Sequence, residues 1–416
     1  MATPAALRTL KEIRILKEIS SDRIKKIKQD RLHSDSDYNP DFRTYSKAEA
    51  QSWLGIKHPT SFARLIKTIQ EKNPEITFER GENNHYLFTI KDLHLLAQEL
   101  GLDGFVRSED DECQVIAVSN LKGGVGKTTD AAHISTGLAI SNNKRYRVAV
   151  IDLDPQGTAS MFGVPELTDD DFTVGDLIQG NYDLDEGEIE KDFIRSCFKE
   201  THIPNLHYLP GRVSDFFFES VAEDILLNSG PDNKYDVYRV LKEKVIDQVK
   251  DDFDIIIIDT APSLNKSFYN AIYASTSVII PVVPELVAFD ATLKYLERFE
   301  EIYAIAANAG HQGLDFIRLL VTNFDSTGSV ETETVHRTYL QDLKALFKER
   351  VIPYPIKHTK AIPICANDFM TVFEMKPSEY PKARKQLTNA VQNLTDVVWE
   401  IESLCRNNWP STSGTK

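Results

Sequence analysis

Cysteine is scarce in this 416-residue chain: Cys113, Cys197, Cys365 and Cys405 lie far apart and form no C-x-x-C pair. That spacing argues against zinc and iron–sulfur sites and for a reducing, cytosolic setting. No apolar stretch approaches about 18 residues, and no basic start with an apolar core opens the chain, so neither a membrane anchor nor an export signal is expected. Internal repeats and low-complexity tracts are also missing. Positive charge is in deficit, with 48 Lys+Arg against 63 Asp+Glu. The deficit is uneven: residues 1–107 carry 18 against 15, a balance of +3, and the remainder 30 against 48, or −18. A nucleic-acid surface is therefore expected in the first quarter, or on a local patch of the acidic remainder.

The chain is organised around residues 120–129, which read NLKGGVGKTT. A β-branched run, Val115–Ser119, reads as a buried strand before it, and Ala131–Ile140 reads as a helix after it. Gly123, Gly124 and Gly126, with Val125 between them, allow a tight turn whose N–H groups reach phosphate oxygens, while the following helix offers its positive end to the same anion. Lys127 supplies a charge for terminal phosphates, Thr128 a hard oxygen ligand for Mg²⁺, and Thr129 completes the loop. Lys122 cannot easily reach the phosphates of its own loop, which points it across a dimer interface.

Two strands bring carboxylates. Arg147 to Asp152 runs into Asp152 and Asp154, two residues apart and so on one side of an extended backbone. Phe253 to Asp259 is almost wholly apolar and ends in Asp259. Such runs belong to parallel strands buried on both faces, and open α/β sheets bind ligands at strand C-termini.

Together KGGVGKTT, VIDLDPQG and IIIIDTAP closely resemble the ParA family of DNA-partition ATPases, over roughly residues 113–375. The resemblance implies ATP and Mg²⁺ as cofactors and a homodimer in which Lys122 contacts the partner subunit's nucleotide. It makes Lys127 the phosphate lysine, Thr128 the metal ligand, Asp154 the residue that positions the attacking water, and Asp152 and Asp259 holders of Mg²⁺ through water. Asn323 and Pro353, each just after a strand, match family positions near the adenine. Asp130 departs from the family, which more often has a small or apolar residue there.

The alternating strands and helices predict an α/β, doubly wound, mostly parallel sheet of the P-loop NTPase type over 107–416. Two smaller parts are expected before it. Residues 1–40 hold one long helix over 5–33, with Leu7, Leu10, Ile13, Leu16, Ile19, Ile24 and Ile27 as an imperfect stripe and a polar linker after it. The stripe fits a dimer contact, packing on its own chain, or a frayed end. Residues 41–106 read as a winged helix-turn-helix. A helix capped by Ser46 is followed by a turn at Gly55–Pro59, a helix over Thr60–Lys72, strands over Ile76–Arg80 and His85–Phe88, and a helix capped by Thr89. Thr60, Ser61, Arg64 and Lys67, with Arg80 in the wing, would face DNA. The same pattern also fits a small protein-interaction domain with a solvated basic face. It resembles the N-terminal domain of larger ParA proteins, which bind their own operator.

Gly101–Glu112 reads as the boundary linker, residues 164–194 as a solvated acidic insertion with a partner-docking surface as the alternative, and Trp409–Lys416 as a polar, disordered tail. Lys357 and Lys360, with Lys382, Arg384 and Lys385 at the start of the last helix, form candidate patches for non-specific double-stranded DNA. The family resemblance implies a cytoplasmic, nucleoid-associated partition ATPase, released from DNA by a ParB-type centromere-binding partner. A nucleotide-switched transcriptional regulator is the alternative. A membrane-positioning or metallocluster relative is disfavoured by the lack of a terminal amphipathic helix and of paired cysteines.

Overall fold

The β-branched runs pair as parallel strands in a computed structural model that describes residues 11, 13–20, 22, 42–81, 84–141, 144–164, 167–168, 170–219, 222, 236–326 and 329–413. They belong to two units, Met1–Phe42 and Arg43–Lys416. In the first, residues 11, 13–20 and 22 are helical, with Ile13, Leu16 and Ile19 more than half exposed. The rest of the expected stripe (Leu7, Leu10, Ile24, Ile27) and the linker over 33–40 lie outside the described residues. The expected boundary at 106/107 falls inside the second unit.

At the head of the second unit, β1 (Tyr45–Ser46), β2 (Glu79–Arg80) and β3 (Tyr86–Phe88) form an antiparallel sheet in the order β1-β3-β2. Both paired segments are shorter than expected, because only Glu79↔Leu87 and Arg80↔Tyr86 keep the β2–β3 register. Three helices surround this sheet. Helix α1 (Lys47–Trp53) starts at a Ser46–Glu49 capping box, and α3 (Ile90–Glu99) at a Thr89–Asp92 box. Helix α2 (Pro59–Lys72) begins with proline, whose missing N–H costs nothing in a first turn, and buries Phe62, Ile66 and Ile69. Phe62 meets Phe88 edge-on, and the opposite face leaves Thr60, Ser61, Arg64 and Lys67 in solvent.

The main sheet runs β10-β9-β4-β8-β5-β7-β6. Its strands are β4 (Gln114–Val118), β5 (Val148–Asp152), β6 (Lys199–Glu200), β7 (Leu206–Leu209), β8 (Ile255–Asp259), β9 (Ser277–Val282) and β10 (Phe316–Val321). Only the β6–β7 pair is antiparallel. Every residue of β4, β5 and β8 is buried, as strands covered on both faces require. Later strands run outward on both sides of β4 and β8, so the order reverses at the C-terminal end of β4, where open sheets form their crevice.

Helix α4 (Lys127–Ile140) follows β4 and packs against the last long helix, α8 (Arg384–Asn408). The approach is close at Gly137, where an added Cβ would lie 2.5 Å from Val398 Cγ2. Buried Leu387, Leu394, Val398, Ile401 and Cys405 follow the expected 3.6-residue spacing along α8. Lys382 precedes the helix instead of opening it. Helices α5 (Lys266–Ala274), α6 (Leu286–Asn308) and α7 (Val330–Phe347) complete the covering layers, α5 and α7 without sequence forewarning.

Four segments depart from expectation. The stretch Tyr235–Val249, which its sequence predicts as one helix, is from Asp236 onward a 3₁₀ turn (Asp236–Tyr238), a π turn (Lys242–Ile246) and one α turn (Asp247–Val249). The acidic stretch 164–194 is more than a solvated insertion: Leu177, Ile178, Phe193 and Ile194 are buried in the core beside β5 and β8. The expected linker and tail pack on each other. Phe105 stacks on Trp409 at 4.5 Å between centroids, Trp409 Nε1–H donates to the Glu112 carbonyl, and Trp409 is fully buried. Replacing so large a buried ring leaves a cavity, so Trp409→Ala is expected to lower stability by about 3–5 kcal/mol in denaturant titration. A loss below about 1 kcal/mol would show that this contact does not anchor the tail.

The head of this unit is tied to its body. Trp53 Nε1–H donates to the Ile140 carbonyl at the end of α4 (3.1 Å), and Arg43 N–H to the Glu374 carbonyl (2.7 Å).

Candidate active site

The loop between β4 and α4 needs two left-handed positions, Gly124 at φ +74° and Gly126 at φ +90°. Side chains with a Cβ rarely adopt such angles. Gly126 is also the N-cap of α4, so the free N–H groups of the helix end open directly onto the loop. Buried Asn120 holds the loop's entry: its amide donates to the Pro281 carbonyl and to Thr292 Oγ1, and its oxygen accepts from Lys122 N–H. Lys127 is buried, with Nζ donating to the Lys122 carbonyl at 3.3 Å. Burial lowers its pKa, opposed by Asp259 and Asp154. Lys122 is half-buried, and its ammonium makes no ion pair among the described residues.

The parallel register sets Asp152 opposite Asp259 at the ends of β5 and β8. Adjacent strands stand about 4.8 Å apart, so two buried carboxylates share one small volume. Their hydrogen bonding differs. Asp152 Oδ2 accepts from Ser160 N–H and Oγ–H, both at 2.7 Å, and Oδ1 from Asp154 N–H. Among the described residues neither oxygen of Asp259 accepts a hydrogen bond of normal geometry, although the group is fully buried; the Thr128 hydroxyl beside it only opposes the rise of its pKa. Burial, with the Asp152 charge second, holds its pKa well above the usual carboxylate range, and burial pushes Asp152 up to about 6. A fully buried carboxyl with two orphaned oxygens beside Lys127 and Thr128 fits a hard cation. Asp154 is half-exposed, its Oδ1 accepting from Gln156 N–H at 3.0 Å.

Beside the loop lies a cavity of about 230 Å³, lined by Gly124, Gly126, Thr129 and Asp130 and by Thr322, Asn323 and Ile356–Thr359. Asp130 is buried with Oδ2 unpartnered, while Oδ1 accepts from Thr322 Oγ1–H at 3.4 Å. Burial raises its pKa well above the ordinary value. Pro353 is not part of this lining, its carbonyl accepting instead from Lys344 Nζ. Lys357 and His358 line the cavity, and Lys360 lines an adjoining one of about 430 Å³.

The loop, Asp152, Asp154 and Asp259 therefore gather at one crevice, with Asn323 at its margin. Lys357 and Lys360, at the cavity walls, and Lys382, Arg384 and Lys385 beyond them are exposed, with no carboxylate partner among the described residues. Arg80 is held within its hairpin by Asn84 Oδ1 (3.0 Å) and Tyr86 Oη (2.6 Å). Sequence reasoning missed Asn120, Ser160 and His358, which no motif marks. Asn120 alone left a signal, as a polar residue directly after an apolar strand.

A family profile described as AAA domain matches residues 113–309. Plasmid partition protein A of Escherichia coli is 25% identical over 398 residues, covering 92% of this chain and 94% of its own. An uncharacterised protein of Methanocaldococcus jannaschii is 35% identical over 206 residues, covering 49% of this chain and 71% of its own. A solved structure described as a partition protein aligns with a TM-score of 0.66 at 21% identity, covering 97% of each chain, which is a likeness of fold.

Proposed function

Because the chain belongs to the ParA family of ATPases, we propose that it hydrolyses ATP as a homodimer, binds double-stranded DNA in its ATP form, and is released when a ParB-type partner stimulates hydrolysis. The observation that carries the reading is the meeting of the glycine loop, Lys127 and the orphaned carboxyl of Asp259 at one crevice. The loop amides and Lys127 bind and orient the phosphates, and Asp154 orients the water that attacks the terminal one. Thr128 and Asp259, with Asp152 behind them, would hold Mg²⁺, which supplies charge neutralisation on the phosphates when bound. Ser160 fixes the rotamer of Asp152.

Dimerisation is supported by apolar side chains left in solvent beyond the strand ends: Leu264 after β8, Leu286 and Val287 after β9. The exposed stripe Ile13, Leu16 and Ile19 offers a second contact. A dimer would set two copies of Lys357, Lys360, Lys382, Arg384 and Lys385 on one surface, and two weak patches held together bind far better than one.

The test is binding to an arbitrary duplex with no nucleotide, ADP and ATP. Affinity is expected only with ATP, falling with salt at a slope of about −0.9 per phosphate neutralised. Lys382→Ala with Lys385→Ala, which lie outside the cavity lining, should flatten that slope. Equal binding in all three states would overturn the mechanism and favour a nucleotide-switched regulator.

The exposed polar face of α2 supports an added activity at an operator, with the β2–β3 hairpin as its wing. Arg64→Ala or Lys67→Ala is expected to weaken binding to a specific site by about 1–3 kcal/mol, and to spare ATP-dependent binding to random duplex. Equal losses on both DNAs in a competition assay would remove the assignment.

A further inference from the structure

Asn120 is fully buried just past the end of β4, where the strand gives way to the glycine loop, and its carboxamide serves three separate segments. The amide nitrogen donates to the Pro281 carbonyl in β9 at 2.8 Å and to Thr292 Oγ1 in α6 at 3.1 Å. The oxygen accepts from Lys122 N–H at 2.9 Å, and a side-chain oxygen bonded to the N–H two residues on closes an Asx turn. On the far side of the same residue, Lys127 Nζ donates to the Lys122 carbonyl. With its N–H and its carbonyl both held, the Lys122 backbone is fixed at each end, so its Cα–Cβ bond leaves the loop in one direction. Its ammonium meets no carboxylate among the described residues.

The frame that holds Asn120 is itself tied to the loop. Thr292 Oγ1–H donates onward to the Ala288 carbonyl at 2.9 Å, and Ala288 shares a small buried apolar cluster with Val283 and with Val125 of the loop. The first turn of α6 therefore grips the loop from within, while its Leu286 and Val287 face solvent on the surface offered above as a dimer contact. Of the short side chains, asparagine alone supplies one acceptor and two donors here. We infer that Asn120 is a positioning residue for the other subunit's site: it fixes the Lys122 backbone to the β9–α6 corner, so that the lysine leaves toward the partner subunit's phosphates. The inference rests on the reading that Lys122 acts in trans. A residue that merely supported its own loop would be missed at its own site instead.

Three measurements on the full chain test this. Asn120→Ala should bind a fluorescent ATP analogue within about threefold of wild type and turn ATP over about 10²-fold more slowly, since a charge misplaced by about 1 Å loses its effect on the reacting group. The double variant Asn120→Ala/Lys122→Ala should be no slower than Lys122→Ala alone, because a residue that acts only through Lys122 has then nothing left to act on. In a dimer of Asn120→Ala with Asp154→Ala, the first subunit keeps its own Asp154 and receives a correctly held lysine. An equimolar mixture should therefore recover about one quarter of wild-type turnover. Asn120→Ser, whose hydroxyl makes the same turn more weakly, should lie between Asn120→Ala and wild type, and it replaces the alanine variant in every measurement if that one loses the wild-type unfolding transition. The inference is overturned by loss of ATP affinity in Asn120→Ala or by a double variant slower than Lys122→Ala. It is equally overturned if the Asn120→Ala mixture stays inactive while Lys122→Ala mixed with Asp154→Ala recovers, because Asn120 then serves its own loop and the trans lysine stands. If neither mixture recovers, the trans reading of Lys122 is wrong and the inference falls with it.

Discussion

Asp154→Ala should bind ATP as wild type does and turn it over about 10²-fold or more slowly, whereas Lys127→Ala should lose ATP affinity itself by about 2–4 kcal/mol. The two outcomes differ because the side chains differ in place. Lys127 is buried against the loop carbonyl of Lys122, so its removal strips the cradle of its only buried ammonium among the described residues. Asp154 is half in solvent beyond the strand end, and among the described residues its carboxylate accepts a hydrogen bond from the backbone N–H of Gln156 alone, so its removal is expected to spare the fold. A residue that acts in the transition state and not in ground-state binding changes turnover alone. Equilibrium binding of a fluorescent ATP analogue, set beside steady-state phosphate release, separates the two variants. Unchanged turnover in Asp154→Ala would remove it from the chemistry.

What the sequence made legible follows from where chemistry leaves no choice. Gly124 and Gly126 occupy backbone angles that few other residues tolerate, and Lys127 must stand at the start of α4 to meet an anion there, so the loop announces itself. The pairing of Asp152 with Asp259 was within reach as well, since each closes an apolar run and parallel strands align their ends. Ser160 was not: eight residues past Asp152, its hydroxyl bonds the carboxylate only because the chain turns back there. Trp409 and Phe105 failed for the opposite reason. Each sits in a polar neighbourhood that reads as linker or tail, and only their stacking on each other and near Tyr146 makes those segments part of the core. His358 lies in a loop without periodicity, where composition carries no sign of its contact with Asn323, 35 residues earlier.

The second large effect is expected at Lys122. Its backbone N–H is held by Asn120 and its carbonyl by Lys127, yet among the described residues its ammonium has no carboxylate partner and lies half-buried at the rim of the loop. If that charge completes the other subunit's site, Lys122→Ala should bind ATP and hydrolyse it about 10²–10³-fold more slowly, the scale on which a cation supplied in trans acts. Loss of activity alone does not separate trans from cis, but mixing two dead variants does. Lys122→Ala keeps its own Asp154 and lacks only the incoming lysine, while Asp154→Ala keeps that lysine and binds ATP. In a two-fold dimer of the two, the site on the Lys122→Ala subunit regains every group, and the other site lacks both. An equimolar mixture should therefore recover about one quarter of wild-type turnover, since half the dimers are mixed and each holds one complete site of two. Recovery should rise with total protein concentration, because it depends on subunit exchange. A mixture no more active than its two components would place Lys122 in its own subunit's site and end the trans assignment.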